Sequence, residues 1–169
     1  MFRNNYFINI TRFVLLVLVQ VLVFNKLNFL GYINPFVYIL FLYWYPIKDN
    51  KGAFIMTAFF LGLCIDIFSD TLALHSASAV TIAFIRPTIM RFVFGVNYEF
   101  QSFKLSSSTR AQQITFLALL IILHHLVFFS LEIFSFSNIL LIIKKTFFTF
   151  CGTLVICLLL NSLFSFEKK

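Results

Sequence analysis

The chain has 169 residues, of which 61% are hydrophobic, 20% aromatic and only 11% charged, with a mean hydropathy of +0.98. A water-soluble domain is about 45–50% apolar and about 25% charged, so this chain lacks the polar surface to cover a globule in water. Soluble enzymes, nucleic-acid binders and disordered linkers are thereby excluded. The net charge of +7 needs no DNA or RNA partner, because cytoplasmic loops of membrane proteins accumulate Lys and Arg.

A membrane crossing needs about 20 mostly apolar residues, since a helix rises about 1.5 Å per residue and the hydrocarbon core is about 30 Å thick. Six stretches qualify, at residues 8–24, 29–47, 53–68, 72–95, 114–134 and 146–166. They predict an all-α transmembrane bundle of about six helices, a single integral membrane domain over 1–169.

The first stretch follows Arg3 and resembles a secretory signal, but Asn25, Lys26, Leu27 and Asn28 offer no small-residue cleavage site. It reads as an uncleaved helix. The second is interrupted by Asn34 and Pro35, and Pro35 is expected to open its helix because an amide there has no intrahelical partner anyway. Its far end carries Tyr43, Trp44 and Tyr45 before Lys48 and Lys51, and these aromatics at one end with Pro35 at the other are expected to anchor the span at the membrane interfaces.

Six crossings with the N-terminus inside place Arg3, Arg12, Lys48, Lys51, Arg86, Arg91, Lys104, Arg110, Lys168 and Lys169 on the cytoplasmic side. Only Lys26, Lys144 and Lys145 fall outside. This asymmetry predicts both termini in the cytoplasm. Arg86, about 21 Å along the fourth helix, is then expected to snorkel to the inner interface. The longest polar stretch, residues 97–113, reads either as a solvated loop or as a contact site for a cytoplasmic protein.

Ionisable groups within a membrane cost about 2.5–3.5 kcal/mol each at mid-depth, so their positions are informative. Asp66 lies in the outer half of the third span, on one face with Gly62 four residues earlier. Glycine there would let a neighbouring backbone approach beside the carboxylate. His75 opens the fourth helix on the same side, and the fifth carries His124, His125 and Glu132, with the last two seven residues apart and nearly aligned.

Gly62, Asp66, Ser69, His75, His125 and Glu132 are therefore expected to converge as one outer polar cluster. Three readings stay open for it: a metal site, a small-molecule pocket, and a structural network that also docks another membrane helix. The last is favoured, because no metal-ligand spacing such as HExxH or CxxC occurs and buried polar residues in bundles commonly satisfy one another. Ala73 with Ala77, and Ala79 with Ala83, form two small-xxx-small pairs that suit either internal packing or an intermolecular seam. No nucleophile elbow, phosphate loop or dinucleotide fingerprint is present, so neither enzymatic turnover nor a cofactor is expected. Cys64, Cys151 and Cys157 sit in apolar runs and read as small core hydrophobes.

The run Asn34-Pro35-Phe36 through Leu42-Tyr43-Trp44, followed by Gly62-Leu63-Cys64-Ile65-Asp66-Ile67-Phe68-Ser69, resembles the signature region of the MreD family of bacterial rod shape-determining membrane proteins. Gln20 in the first span and the short loops also suit that family. The likeness covers about a third of the chain, and it departs at Leu72-Ala73-Leu74, where the family usually carries a glycine shortly before the position of His75. The resemblance implies a non-enzymatic part of the lateral cell-wall synthesis machinery in the bacterial inner membrane. Its partners would be a single-span MreC-like protein, the actin-like MreB, the RodA and penicillin-binding synthase pair, and membrane lipid. It also implies a fold like the substrate-binding subunits of energy-coupling factor transporters, and such a vitamin-binding subunit is the alternative function.

Overall fold

The computed structural model describes residues 2–27, 34–47, 50–99, 103–134 and 136–165. Six α-helices follow one another: α1 (Phe2–Leu22), α2 (Ile39–Trp44), α3 (Lys51–Ser69), α4 (Leu74–Phe94), α5 (Arg110–Ile133) and α6 (Ile139–Ser165). Among the described residues there is no strand. Five of the six helices, all except α2, are long and apolar enough to cross a membrane. Their outward faces carry Phe7, Leu18, Phe84, Phe92, Leu140 and Leu163, each more than half exposed, a surface that suits lipid and not water.

Local chemistry accounts for several helix ends. Asn50 caps α3 by accepting from the Gly52 amide at 2.8 Å, and Asp70 ends that helix in the left-handed region at φ 54°. Thr109 and Gln112 form a reciprocal capping box at the start of α5. Pro87 sits inside α4 without ending it, which bundle interiors tolerate when neighbouring groups meet the freed carbonyl. Helix α6 begins at Ile139, so most of the connection expected over residues 135–145 is helical.

Residues 34–47 depart most from the sequence expectation. The apolar run at 29–47 does not form one long helix: Asn34 to Phe36 carry no helical structure, and α2 starts only at Ile39, four residues after Pro35. The part at 28–33 lies outside the described residues. Six helical residues span only about 9 Å, too little to cross as a helix. The segment nevertheless runs the length of the bundle core. Phe128, His124 and Phe116 of α5 contact Phe36, Tyr38 and Tyr43 in turn, so the segment descends antiparallel to α5 over about 18 Å.

Long helices enclose it. Helix α3 packs on α4, α4 on α5 and α5 on α6, while α1 lies against α3 and α2. Val37, Tyr38, Ile39, Leu40 and Leu42 are 0% exposed. An all-round apolar sequence marks a buried element, and this one is surrounded by protein on every side. The Asn25 side chain donates to Ser69 Oγ at 2.7 Å, which ties the C-terminal ends of α1 and α3 together and makes them parallel. One end of the bundle therefore carries Ser69 and His75, and the other carries Lys51, Arg91 and Arg110.

Candidate functional site

A half-helix buried at membrane depth poses a hydrogen-bond problem. Most of its amides and carbonyls lack intrahelical partners, and each left unpaired away from water costs several kcal/mol. Side chains from three surrounding helices, α1, α4 and α6, supply missing partners. Before α2, the Val37 amide donates to Gln20 Oε1 at 2.8 Å, the Gln20 amide donates to the Pro35 carbonyl at 3.1 Å, and the Phe36 amide donates to Thr153 Oγ at 3.1 Å.

Thr153 passes its own proton on. Its hydroxyl lies 3.1 Å from His125 Nε2, and His125 Nδ1 lies 2.7 Å from the Ile121 carbonyl. A carbonyl only accepts, which fixes the proton on Nδ1 and leaves Nε2 to accept from Thr153. The chain from the Phe36 amide to the Ile121 carbonyl thus balances donor for acceptor.

At the other end, Arg86 Nη2 donates to the carbonyls of Tyr45 at 2.7 Å and Tyr43 at 3.3 Å. A guanidinium at the C-terminus of α2 also meets the negative end of its dipole. Phe54 and Phe116 flank it, with ring centroids 4.9 and 5.8 Å from Cζ. Arg86 is 4% exposed, so it does not snorkel to an interface as the sequence suggested: a backbone acceptor pair inside the protein offers a nearer partner than water. Its Nε remains without a hydrogen-bond partner.

In the middle, Tyr38 Oη stands 2.7 Å from His124 Nε2 and 3.0 Å from His75 Nδ1. One hydroxyl proton cannot serve both imidazoles as donor. His124 Nδ1 is buried with no partner, and an unpaired lone pair is less costly there than an unpaired N–H. The balanced assignment has His124 Nε2 donating to Tyr38 and the Tyr38 hydroxyl donating to His75 Nδ1.

Asp66 forms a second clamp, between α3 and α4. Its carboxylate accepts from the amides of His75 and Ser76, each at 2.9 Å, and from the hydroxyls of Ser76 and Thr71, each at 2.6 Å. Helix α4 has no cap from its own N-cap residue, because Ala73 stands there at φ 58°. The carboxylate from α3 meets the orphan amides instead and sits at the positive end of the α4 dipole. Gly62 makes this possible: a Cβ on it would lie 2.4 Å from Ser76 Cα and 2.5 Å from Ser76 N.

The structure brings together only part of the cluster expected from sequence. Gly62, Asp66 and His75 meet directly, and Phe36 bridges to His125 through ring contacts at 4.9 and 5.0 Å. Ser69 bonds Asn25 and not Asp66. Glu132 stands apart, half-exposed and paired at 2.8 Å with Lys145, because the early start of α6 carries that lysine into a helical register facing it.

The two alanine pairs also separate. Ala79 and Ala83 are buried in the core, Ala77 is half-buried, and Ala73 precedes the helix, so the first pair is not a seam along one helix face. The expected interface anchors Pro35, Tyr43 and Tyr45 are buried inside the bundle. Trp44 is half-buried, with its indole donating to Asn161 at 2.9 Å and Arg12 over its ring. These aromatics follow the α2 backbone inward, so helices and not lipid surround them.

His124, Tyr38 and Thr153 were absent from the expected cluster. The paired histidines at 124 and 125 were a usable signal for the first, whereas an aromatic and a threonine inside apolar runs gave none. Among the described residues, no group of three His, Cys, Asp or Glu is placed to hold a metal ion. No family model, curated protein or solved structure matches the chain.

Proposed function

We propose that this protein is a non-enzymatic membrane scaffold of the bacterial lateral cell-wall synthesis machinery. In this reading it sits in the inner membrane with the Arg110 end and both termini cytoplasmic, and holds a single-span MreC-like partner. MreB and the RodA and penicillin-binding synthase pair are engaged through that assembly. The observation that carries the reading is the use made of the polar residues. Asp66, Gln20, Arg86 and Thr153 are occupied in holding backbone of this chain, and the histidines bond a tyrosine, a threonine and a carbonyl.

Polar groups spent in this way favour a rigid bundle over a ligand pocket or a catalytic centre, which would aim them at a cavity. The residues that resemble the MreD signature are those of the buried α2 segment itself, of Gln20 that bonds it, and of the Gly62–Asp66 contact with α4. That coincidence supports the assignment over the vitamin-transporter alternative. Co-purification of the tagged full chain in mild detergent, with mass spectrometry of what is retained, tests it. A single-span envelope protein recovered in near-equal amount is the expected result. Recovery of a transporter ATPase, or of a tightly held vitamin, would overturn it.

A further inference from the structure

The three imidazoles at the middle of the bundle differ in one respect. In the balanced assignment His75 Nδ1 accepts from the Tyr38 hydroxyl at 3.0 Å and His125 Nε2 accepts from Thr153 at 3.1 Å, so both of those lone pairs are taken. His124 is bonded through Nε2, to Tyr38 at 2.7 Å, and its Nδ1 is buried without a partner. His124 Nδ1 is thus the imidazole lone pair that can take up a proton without breaking a hydrogen bond. The one hydrogen bond that His124 makes goes to the buried segment that carries α2.

We propose that His124 is a proton-triggered latch on the buried segment at 34–47. A proton arriving from water forms an N–H bond at Nδ1 and breaks none, which leaves a cation whose new donor has no acceptor. The groups around it supply no free counter-charge. Tyr38 faces it from the segment, His75 from α4 and His125 from α5, and the Asp66 carboxylate of α3 already accepts from Thr71, His75 and Ser76. Gln20 of α1 and Thr153 of α6 are uncharged. A buried cation left in this state is costly, and withdrawal of Tyr38 relieves it by admitting water to the ring. His124 is 0% exposed, so loading and release are one event. The docked segment is held at neutral pH and let go as pH falls, because the released imidazole keeps the proton that the docked one cannot pair.

Trp44, the only tryptophan of the chain, reports on the segment: its indole donates to Asn161 of α6 at 2.9 Å, and Arg12 of α1 lies 5.3 Å over its ring. The test follows Trp44 emission and the far-ultraviolet helix signal of the full chain in mild detergent from about pH 8 to about pH 4.5, a range that spans imidazole titration. Emission should shift to the red while the helix signal holds, with the ratio of released to docked protein rising about tenfold per pH unit, the slope of one proton. His124→Gln, whose uncharged amide still donates to Tyr38, should lose the shift. Nitrogen-15 spectra of histidine-labelled wild type need no variant: one Nε2–H imidazole of the three should gain a proton in step with the emission. Unchanged emission, the same shift in His124→Gln, or no imidazole titrating in step would each overturn the proposal. So would loss of the helix signal alongside the emission change, which would mean general acid unfolding.

Discussion

Adding one methyl at Gly62 should open the α3–α4 contact. The new Cβ would sit 2.4 Å from Ser76 Cα, whereas ordinary van der Waals contact begins near 3.4 Å, so the helices must part by about 1 Å. Asp66 holds the His75 and Ser76 amides at 2.9 Å, and the same displacement stretches those bonds to about 3.9 Å, beyond hydrogen-bonding range. Overpacking costs about 1–3 kcal/mol, and stranding buried partners of a carboxylate costs about the same again. Because one movement trades the first cost for the second, they do not sum, and Gly62→Ala should destabilise by about 3 kcal/mol.

Reversible unfolding in mixed detergent micelles measures this, and the double variant with Asp66→Asn isolates the mechanism. If the methyl acts by breaking the clamp, the pair should cost about 1–2 kcal/mol less than the two singles added together. A Gly62→Ala protein within about 0.5 kcal/mol of wild type would refute the close approach. Strict additivity would refute its link to the carboxylate.

Ala73 occupies the left-handed region at φ 58°, where a Cβ is strained, so Ala73→Gly should stabilise by about 0.5–1 kcal/mol in the same unfolding assay despite the added freedom of the unfolded chain. Arg86→Met removes the donor that the Tyr43 and Tyr45 carbonyls share and should cost about 2–4 kcal/mol. Arg86→Lys should recover part of that loss by restoring a donor. Glu132→Gln should change stability by less than about 0.5 kcal/mol, since its pair with Lys145 is partly exposed.

The sequence was legible where meaning is local. Four-residue spacing put Gly62 and Asp66 on one face, and the cost of a carboxylate at depth marked Asp66 as needing partners. The turn between α3 and α4 was less legible: Asp70 and Ala73 both take positive φ there, and neither is a glycine. Five long helices followed from apolar length alone.

The half-helix was not legible, because an apolar run enclosed by protein and one facing lipid have the same composition. What distinguishes them is whether orphan backbone groups find partners, and those partners lie far away in the chain. Thr153 is 117 residues from Phe36, and Arg86 is 43 and 41 residues from the two carbonyls it holds. No periodicity encodes such pairs. Glu132 failed for a related reason: its alignment with His125 was read from α5 alone, while the register of α6 decided its partner.

The proposed scaffold role is tested most directly by depleting the protein from the cells that encode it and restoring it as wild type or as Gly62→Ala, with cell shape and membrane abundance measured together. The account predicts that depletion makes the cells lose their rod form and round up, that wild type restores the rods, and that Gly62→Ala restores them only to the extent that it accumulates in the membrane. Cells that keep their rod form and their rate of lateral wall synthesis after full depletion would contradict it.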